Sequence, residues 1–290
     1  MKDIRLKYIL KLMRPKQWLK NFFVFAAIIF SGKFENKNIF LLNLGVFALF
    51  CLISSAVYVL NDLVDVEKDK QHPDKKNRPI ASGKVSKTQA MILELCILCI
   101  VLILSYNVNL RILAVLITYY VMNVLYSFKL KNVVIVDVMI ITFGFVLRVI
   151  SGSIVTNVQL SPWLILCTIL ISLFLALNKR RSEIVTLKDN KSSHRKILEE
   201  YSIELIDNML TIVTPSILMT YCLYTFSSIQ SRTMMITIPF VLYGIFRYQY
   251  LVSKKNVGGK PEDVFQNDLP FLIDVVLWAI LIIVIIYFKL

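Results

Sequence analysis

Residues 56–69, Ala56-Val57-Tyr58-Val59-Leu60-Asn61-Asp62-Leu63-Val64-Asp65-Val66-Glu67-Lys68-Asp69, run an apolar stretch directly into a row of acids. If a helix continues through that junction, offsets of three and four residues set Asp62, Asp65 and Asp69 on one stripe. Three like charges on one face repel unless a cation neutralises them. Magnesium suits the position, because it binds through one or two carboxylates, keeps several waters, and takes further oxygens from phosphates. Bases follow in His72-Pro73-Asp74-Lys75-Lys76-Asn77-Arg78-Pro79-Ile80-Ala81-Ser82-Gly83, and they match the polyphosphate oxygens that a metal leaves uncompensated. A solvated, mixed-charge helix end is the plainer account. The direct join to an apolar run and the Arg-Pro-x-x-x-Gly turn favour a magnesium-diphosphate site instead, with Asp62, Asp65 and Asp69 as metal ligands and Asn61, Lys75 and Arg78 as substrate contacts.

The apolar run is one of many. The chain has 290 residues, 57% of them hydrophobic, with a mean hydropathy of +0.68, which excludes an ordinary water-soluble domain. Nine spans are expected, at 17–32, 39–60, 88–106, 109–127, 133–153, 161–178, 205–227, 233–251 and 270–288, in a single all-helical membrane domain over residues 1–290. No small-residue cleavage site follows the first stretch, so it reads as a retained helix. Most of the 33 Lys and Arg fall in 1–20, 61–87, 127–132, 178–204 and 252–269. The opposite face keeps Lys33, Lys37, Arg111, Arg232 and Lys289. That asymmetry predicts a cytoplasmic N-terminus and an outside C-terminus. The long inner loops 61–87 and 178–204 become the site loops. The net charge of +14 is explained by the membrane surface, and no nucleic-acid partner is expected.

Cys51, Cys96, Cys99, Cys167 and Cys222 all lie in apolar runs, where they act as small hydrophobes. Cys96-x-x-Cys99 has no His or second Cys pair near it and predicts no zinc or redox site. His72 and His194 lack ligand spacing. Pro162 opens a helix, whereas Pro215 and Pro239 are expected to kink theirs.

Several segments together resemble the UbiA superfamily of intramembrane prenyltransferases: the Asn61-to-Asp69 motif with its loop, Arg14-Pro15-Lys16-Gln17-Trp18-Leu19-Lys20-Asn21, Tyr126-Ser127-Phe128-Lys129-Leu130-Lys131, Asp137, Gly144-Phe145-Val146-Leu147-Arg148 with Gly152, Lys179-Arg180-Arg181-Ser182-Glu183, and Pro261-Glu262-Asp263. The likeness runs nearly end to end, and within the superfamily it is to the branch that transfers phosphoribosyl to polyprenyl phosphates. It implies a UbiA-like bundle with a cytoplasmic-facing site, Mg2+ as cofactor, phosphoribosyl pyrophosphate and a polyprenyl (decaprenyl-type) phosphate as substrates, and the inner membrane of a bacterium. Aromatic prenyltransferases of this superfamily carry a second acidic motif after span six. Here that place reads Asn178-Lys179-Arg180-Arg181-Ser182-Glu183, and bases of this kind hold an anion directly. A donor with phosphate at two separated places fits that pattern better than a prenyl diphosphate.

The remaining candidates are polar groups at or inside spans. Arg14, Lys16 and Lys20 stand at the mouth of span one beside Trp18, where they serve either anionic lipid or the phosphate of a polyprenyl phosphate. Asp137 and Arg148 are intramembrane charges, eleven residues and roughly 16 Å apart along a helix, too far to pair. Asp137 is expected to meet Lys129, Lys131 or the donor ribose, and Arg148 either a structural polar lock or substrate. Tyr126, with Tyr58 and Tyr119, borders the expected pocket; Glu183, Glu262 and Asp263 are further contributors. The rival readings are a prenyl transfer to an aromatic acceptor, which a second acidic loop would favour, and a transporter, which broken helices and midplane charge pairs in both halves would favour.

Overall fold

The structure is a computed structural model that describes residues 2–71, 75–188, 197–227, 232–255, 264 and 267–288. His72, His194, Pro261, Glu262, Asp263 and Lys289 lie outside the described residues, as does 189–196 of the second site loop.

The described chain is helical. After α1 (Lys2–Met13) comes a 3-10 helix (Pro15–Phe25) that runs into the short α2 (Ala26–Phe30). Then follow α3 (Lys37–Val64), α4 (Val66–Gln71), α5 (Lys87–Val108), α6 (Leu110–Phe128), α7 (Val136–Thr156), α8 (Pro162–Lys188), α9 (Ile197–Glu200), α10 (Ile203–Phe226), α11 (Ile238–Lys255) and α12 (Leu269–Phe288). Local chemistry starts several of them. The Asn36 side chain accepts from the backbone of Asn38 and Ile39 at the head of α3, and Ser86 forms a capping box with Gln89 at the head of α5, each satisfying amides that a helix start leaves unpaired.

Among the described residues, eight helices are long and apolar enough to cross a membrane. The first expected span, 17–32, is not a regular α-helix: Arg14 adopts a left-handed conformation (φ 53°) and Pro15 starts the 3-10 stretch instead. Eleven 3-10 residues and five α residues still extend roughly 30 Å, at about 2.0 and 1.5 Å per residue. Pro239 falls at the second residue of α11, where a missing N–H costs nothing, so it opens that helix and does not kink it. Pro215 does lie inside α10. The expected loop at 178 is helix as far as Lys188, because Lys, Arg and Glu propagate a helix that no Gly or Pro stops.

α7 is the centre of the bundle, with 61% of its apolar window buried against 22% for α5, α6 and α12. One apolar core joins it to the 3-10 helix, α3, α5 and α6 through Val24, Phe50, Ile53, Leu116 and Leu147. A second joins it to α8, α10, α11 and α12 through Val138, Phe174, Ile206, Ile217 and Phe271. Gly152 allows the closest approach: a Cβ there would lie 2.0 Å from the Val24 carbonyl oxygen, so only glycine lets the 3-10 helix lie on α7. The outward faces of α5, α6 and α12 carry exposed Leu, Ile and Phe, as lipid contact requires. Under the first loop, Leu12 of α1 packs with Val59, Val66, Ile80, Val85 and Ala90. That small core ties α1 and the 75–85 turns to the C-terminal end of α3 and thereby fixes the acidic motif.

Candidate active site

α3 ends at Val64, and Asp65 is its C-cap. Helical hydrogen bonding nevertheless carries through, with Asp65 N–H donating to Asn61 O at 3.0 Å and Asp69 N–H to Asp65 O at 2.8 Å. Asp62 and Asp69, two turns apart, therefore face one side, and Arg78 lies between them: its Nη1 donates to Asp62 Oδ1 at 3.1 Å and to Asp69 Oδ2 at 2.6 Å. The left-handed turn at Arg14 aims a second guanidinium at Asp62, to which it donates, while it stacks over the Tyr58 ring at 4.9 Å. Asp65 turns to a different partner. Lys131, from the 3-10 turn Leu130–Asn132 between α6 and α7, donates to both its oxygens at 2.7 and 2.9 Å. The single stripe of three acids expected from spacing is thus divided into Asp62 with Asp69 and Asp65 apart.

The rest of the near side is polar and connected. Asn61 accepts from Ser127 Oγ at 2.8 Å, Lys20 donates to Gln17 at 2.5 Å, and Tyr58 donates to the same Gln17 oxygen at 3.4 Å. Trp18 Nε1 donates to Ser55 at 3.1 Å, which makes it a packing anchor within the bundle. Glu67, near the motif, pairs with Lys70, which lowers its pKa. Lys16, Lys75 and Lys179 all have interaction partners.

A second cluster lies at the same end of the bundle. Asp137, in the first turn of α7, accepts from Arg180 Nε at 2.6 Å and from the Tyr201 hydroxyl at 2.7 Å. Arg180 also donates to Glu183 at 2.5 Å and to Tyr126 at 3.3 Å. Asp137 therefore meets neither Lys129 nor Lys131. Arg181 turns away to Asp207, at 2.7 Å. The expected three-base anion grip after span six does not form in that shape, because carboxylates already hold two of its three bases. Tyr201 and Asp207 escaped the sequence reading: each pairs with a residue 64 or 26 positions away, and nothing local marks them.

Exposure separates the two clusters. Arg14, Arg78 and Asp65 keep 26%, 27% and 18% of their side-chain surface, whereas Arg180 and Asp137 keep 1% and 0%. A solute can reach the first cluster through its bases and Asp65, while Asp62 and Asp69 beneath them keep 2% and 5%; in the second cluster the Arg180–Asp137 pair is sealed and Glu183 keeps 31%. Arg148 is sealed as well and forms a lock: it donates to Asn21 Oδ1 (2.7 Å), Gly144 O (2.6 Å) and Tyr119 (3.0 Å) and stacks on Phe50, Tyr119 and Phe145. Those contacts replace the water that a buried guanidinium loses.

Among the described residues, no three His, Cys, Asp or Glu side chains converge as a metal cage. What the first cluster offers is a pair of carboxylates spanned by one positively charged nitrogen. That donor set fits magnesium, which uses one or two carboxylates and draws its other ligands from water and phosphate. It does not fit a structural zinc or calcium cage.

A bundle of apolar helices, closed at one end by a reachable cluster of acids and bases, is the architecture of an intramembrane transferase. The chain belongs to the UbiA prenyltransferase family, which matches it over residues 21–287. Among curated relatives it is similar to decaprenyl-phosphate phosphoribosyltransferase of Corynebacterium glutamicum, 31% identical over 289 residues, covering 96% of this chain and 86% of that one. The enzyme of the same name from Mycolicibacterium smegmatis is 30% identical over 276 residues, covering 90% and 86%. Among solved structures the fold matches a UbiA homolog from Archaeoglobus fulgidus bound to DMAPP and Mg2+ (TM-score 0.72, 16% identity, 96% and 98% covered). It also matches digeranylgeranylglyceryl phosphate synthase (TM-score 0.71, 20% identity, 99% of both chains).

Proposed function

We infer that this chain is an integral membrane enzyme that transfers 5-phosphoribosyl from phosphoribosyl pyrophosphate to a polyprenyl phosphate of decaprenyl type, releasing diphosphate, with Mg2+. The observation that carries this reading is the near end-to-end similarity to decaprenyl-phosphate phosphoribosyltransferases. The first cluster supports it, because Asp62 and Asp69 share one reachable cation and so form a site for a metal-held diphosphate. The prenyl-donor alternative lacks support of this kind: its likeness is to structures at 16% identity, which speaks for fold alone.

In the transfer, Asp62 and Asp69 would hold the metal, with Asp65 beside them. When bound, the metal would supply positive charge against the negative charge that builds up on the departing diphosphate. Arg78, with 27% of its side chain exposed, takes the remaining diphosphate oxygens, and guanidinium geometry favours two oxygens at once. Lys131, with Lys75, Lys129 and Lys179, adds positive potential toward the phosphate at the other end of the ribose. A phosphate oxygen of the lipid forms the new bond to the anomeric carbon while the carbon–oxygen bond to diphosphate breaks, and that electron pair leaves with the diphosphate. The attacking oxygen is already an anion, so no general base is required. Arg14, Lys16 and Lys20, at the mouth of the first segment, hold the lipid phosphate while its tail stays in the bilayer. Asp137, Arg180, Glu183, Tyr126 and Arg148 support this site from within.

We also propose that the 3-10 and α2 segment makes a ninth crossing, in one membrane domain whose site loops 61–87 and 178–204 face the cytoplasm. The N-terminus is then cytoplasmic and the C-terminus outside, in a bacterial inner membrane. The deciding experiment incubates purified protein with radiolabelled phosphoribosyl pyrophosphate, Mg2+ and decaprenyl phosphate. Label passing into the lipid phase is expected; its absence, with transfer from dimethylallyl diphosphate in a parallel reaction, would overturn the donor assignment.

A further inference from the structure

The α6–α7 turn that carries Lys131 ends on a strained residue. Ile135 has φ 69° and ψ −44°, a positive-φ conformation close to a strained γ-turn that a β-branched side chain adopts only when its surroundings impose it. Its N–H donates to the Tyr201 hydroxyl oxygen at 2.7 Å. The single proton of that hydroxyl is donated onward to Asp137 Oδ1, also at 2.7 Å, and Asp137 Oδ2 accepts from Arg180. Tyr201 is 3% exposed and Asp137 fully buried, so no water competes for these bonds. Burial, and then the bond to Asp137, raise the pKa of Tyr201, which keeps the proton on the hydroxyl. One phenol thus joins the start of α7 to the stretch between α9 and α10. Four residues before Ile135, Lys131 reaches Asp65, whose motif belongs to the other site loop.

We propose that Tyr201 is a positioning residue for the transfer reaction: by clasping Ile135 and Asp137 it holds the α6–α7 turn in the conformation that keeps Lys131 on Asp65. Without the clasp the strain at Ile135 is released, the turn relaxes, and Lys131 leaves the site. The sealed cluster thereby acts on the reachable one through backbone geometry, with no contact to substrate. The proposal rests on the reading of Asp65 and Lys131 as part of the active site.

The test compares Tyr201→Phe, Ile135→Gly and the double variant in the full chain in nanodiscs. Tyr201→Phe keeps the ring and removes the hydroxyl; it is expected to lower kcat/KM for phosphoribosyl pyrophosphate about tenfold or more, the scale of one hydrogen bond to a charged group, while KM for the lipid phosphate stays unchanged. Ile135→Gly alone keeps full activity, since glycine tolerates the conformation. In the double variant it restores most of the loss, because no strain remains to drive the turn away. Amide hydrogen exchange over residues 129–137 reports the turn independently of catalysis and is expected to quicken in Tyr201→Phe only. Unchanged exchange, or a loss that Ile135→Gly does not restore, would overturn the clasp. Faster exchange with unaltered kcat/KM would leave the clasp standing as geometry and overturn the assignment of Lys131 to the active site.

Discussion

Lys131 extends from the α6–α7 turn to Asp65, its ammonium 2.7 and 2.9 Å from the two carboxylate oxygens, across 66 residues of sequence. The lysine side chain keeps 5% of its surface and the aspartate 18%, so each is the other's main source of compensation. Lys131→Gln or Asp65→Asn alone should lower kcat/KM about 100-fold, near 3 kcal/mol at the barrier, because removing one partner leaves the other charge unpaired. The double variant should be no worse than the worse single one. A double-mutant cycle on kcat/KM measures this, and multiplying losses would dissolve the pair as a functional unit.

Arg78 serves Asp62 and Asp69 with one nitrogen and has more donors for phosphate. A lysine there offers a compact ammonium with no planar fork. Arg78→Lys should therefore raise KM for phosphoribosyl pyrophosphate about tenfold and leave KM for the lipid phosphate alone. Steady-state kinetics with each substrate varied in turn would show the opposite pattern if Arg78 gripped the lipid.

Metal dependence follows from a two-carboxylate donor set. Activity lost to a chelator should return with Mg2+ and not with equal Ca2+, which prefers six to eight oxygens at longer distances. Asp62→Asn should move the Mg2+ concentration for half-maximal activity up about tenfold, while Glu67→Gln, in an exposed pair with Lys70, should leave it in place.

Gly152 and Gly144 lie two turns apart on α7 and should respond differently to alanine. At Gly152 the new methyl would meet the Val24 carbonyl oxygen at 2.0 Å; at Gly144 its nearest neighbour is a Tyr119 ring carbon at 3.4 Å. Gly152→Ala should cost about 1–3 kcal/mol of stability as the 3-10 helix is pushed off α7, read as a lowered melting temperature in detergent. Gly144→Ala should melt close to the parent.

The proposed ninth crossing would place the two termini on opposite sides. A membrane-impermeant thiol reagent applied from outside should label a cysteine placed after Phe288, and label neither one placed at the N-terminus nor one in the 75–85 turns, which the first segment and α3 separate by two crossings. Labelling at the N-terminus with none in the 75–85 turns would remove the ninth crossing.

The class of the protein was legible along the chain, and so was the acidic motif at which its chemistry is proposed, because both are local properties. Hydrophobic runs of membrane length identify themselves, and so does an acidic motif joined to one of them. The first segment was read only in part: its apolar length is visible at 17–32, but its close seat against α7 depends on Gly152 admitting Val24 from another element. Likewise, residues 179–183 announce their charge and conceal their partners. Arg180 reads as a loop base but is a buried helix residue held by Asp137, 43 positions away.

Composition and spacing by themselves determined a helical membrane protein with an acid-rich motif beside basic segments, since hydropathy and charge act residue by residue. Only the tertiary structure decided which base answers which acid. Arg14 meets Asp62 across 48 residues, Lys131 meets Asp65 across 66, and Asp62 and Asp69 are left to share Arg78. Such pairings depend on where helix ends come together and on how far each pair is removed from water, and neither quantity is written in the order of residues along a chain.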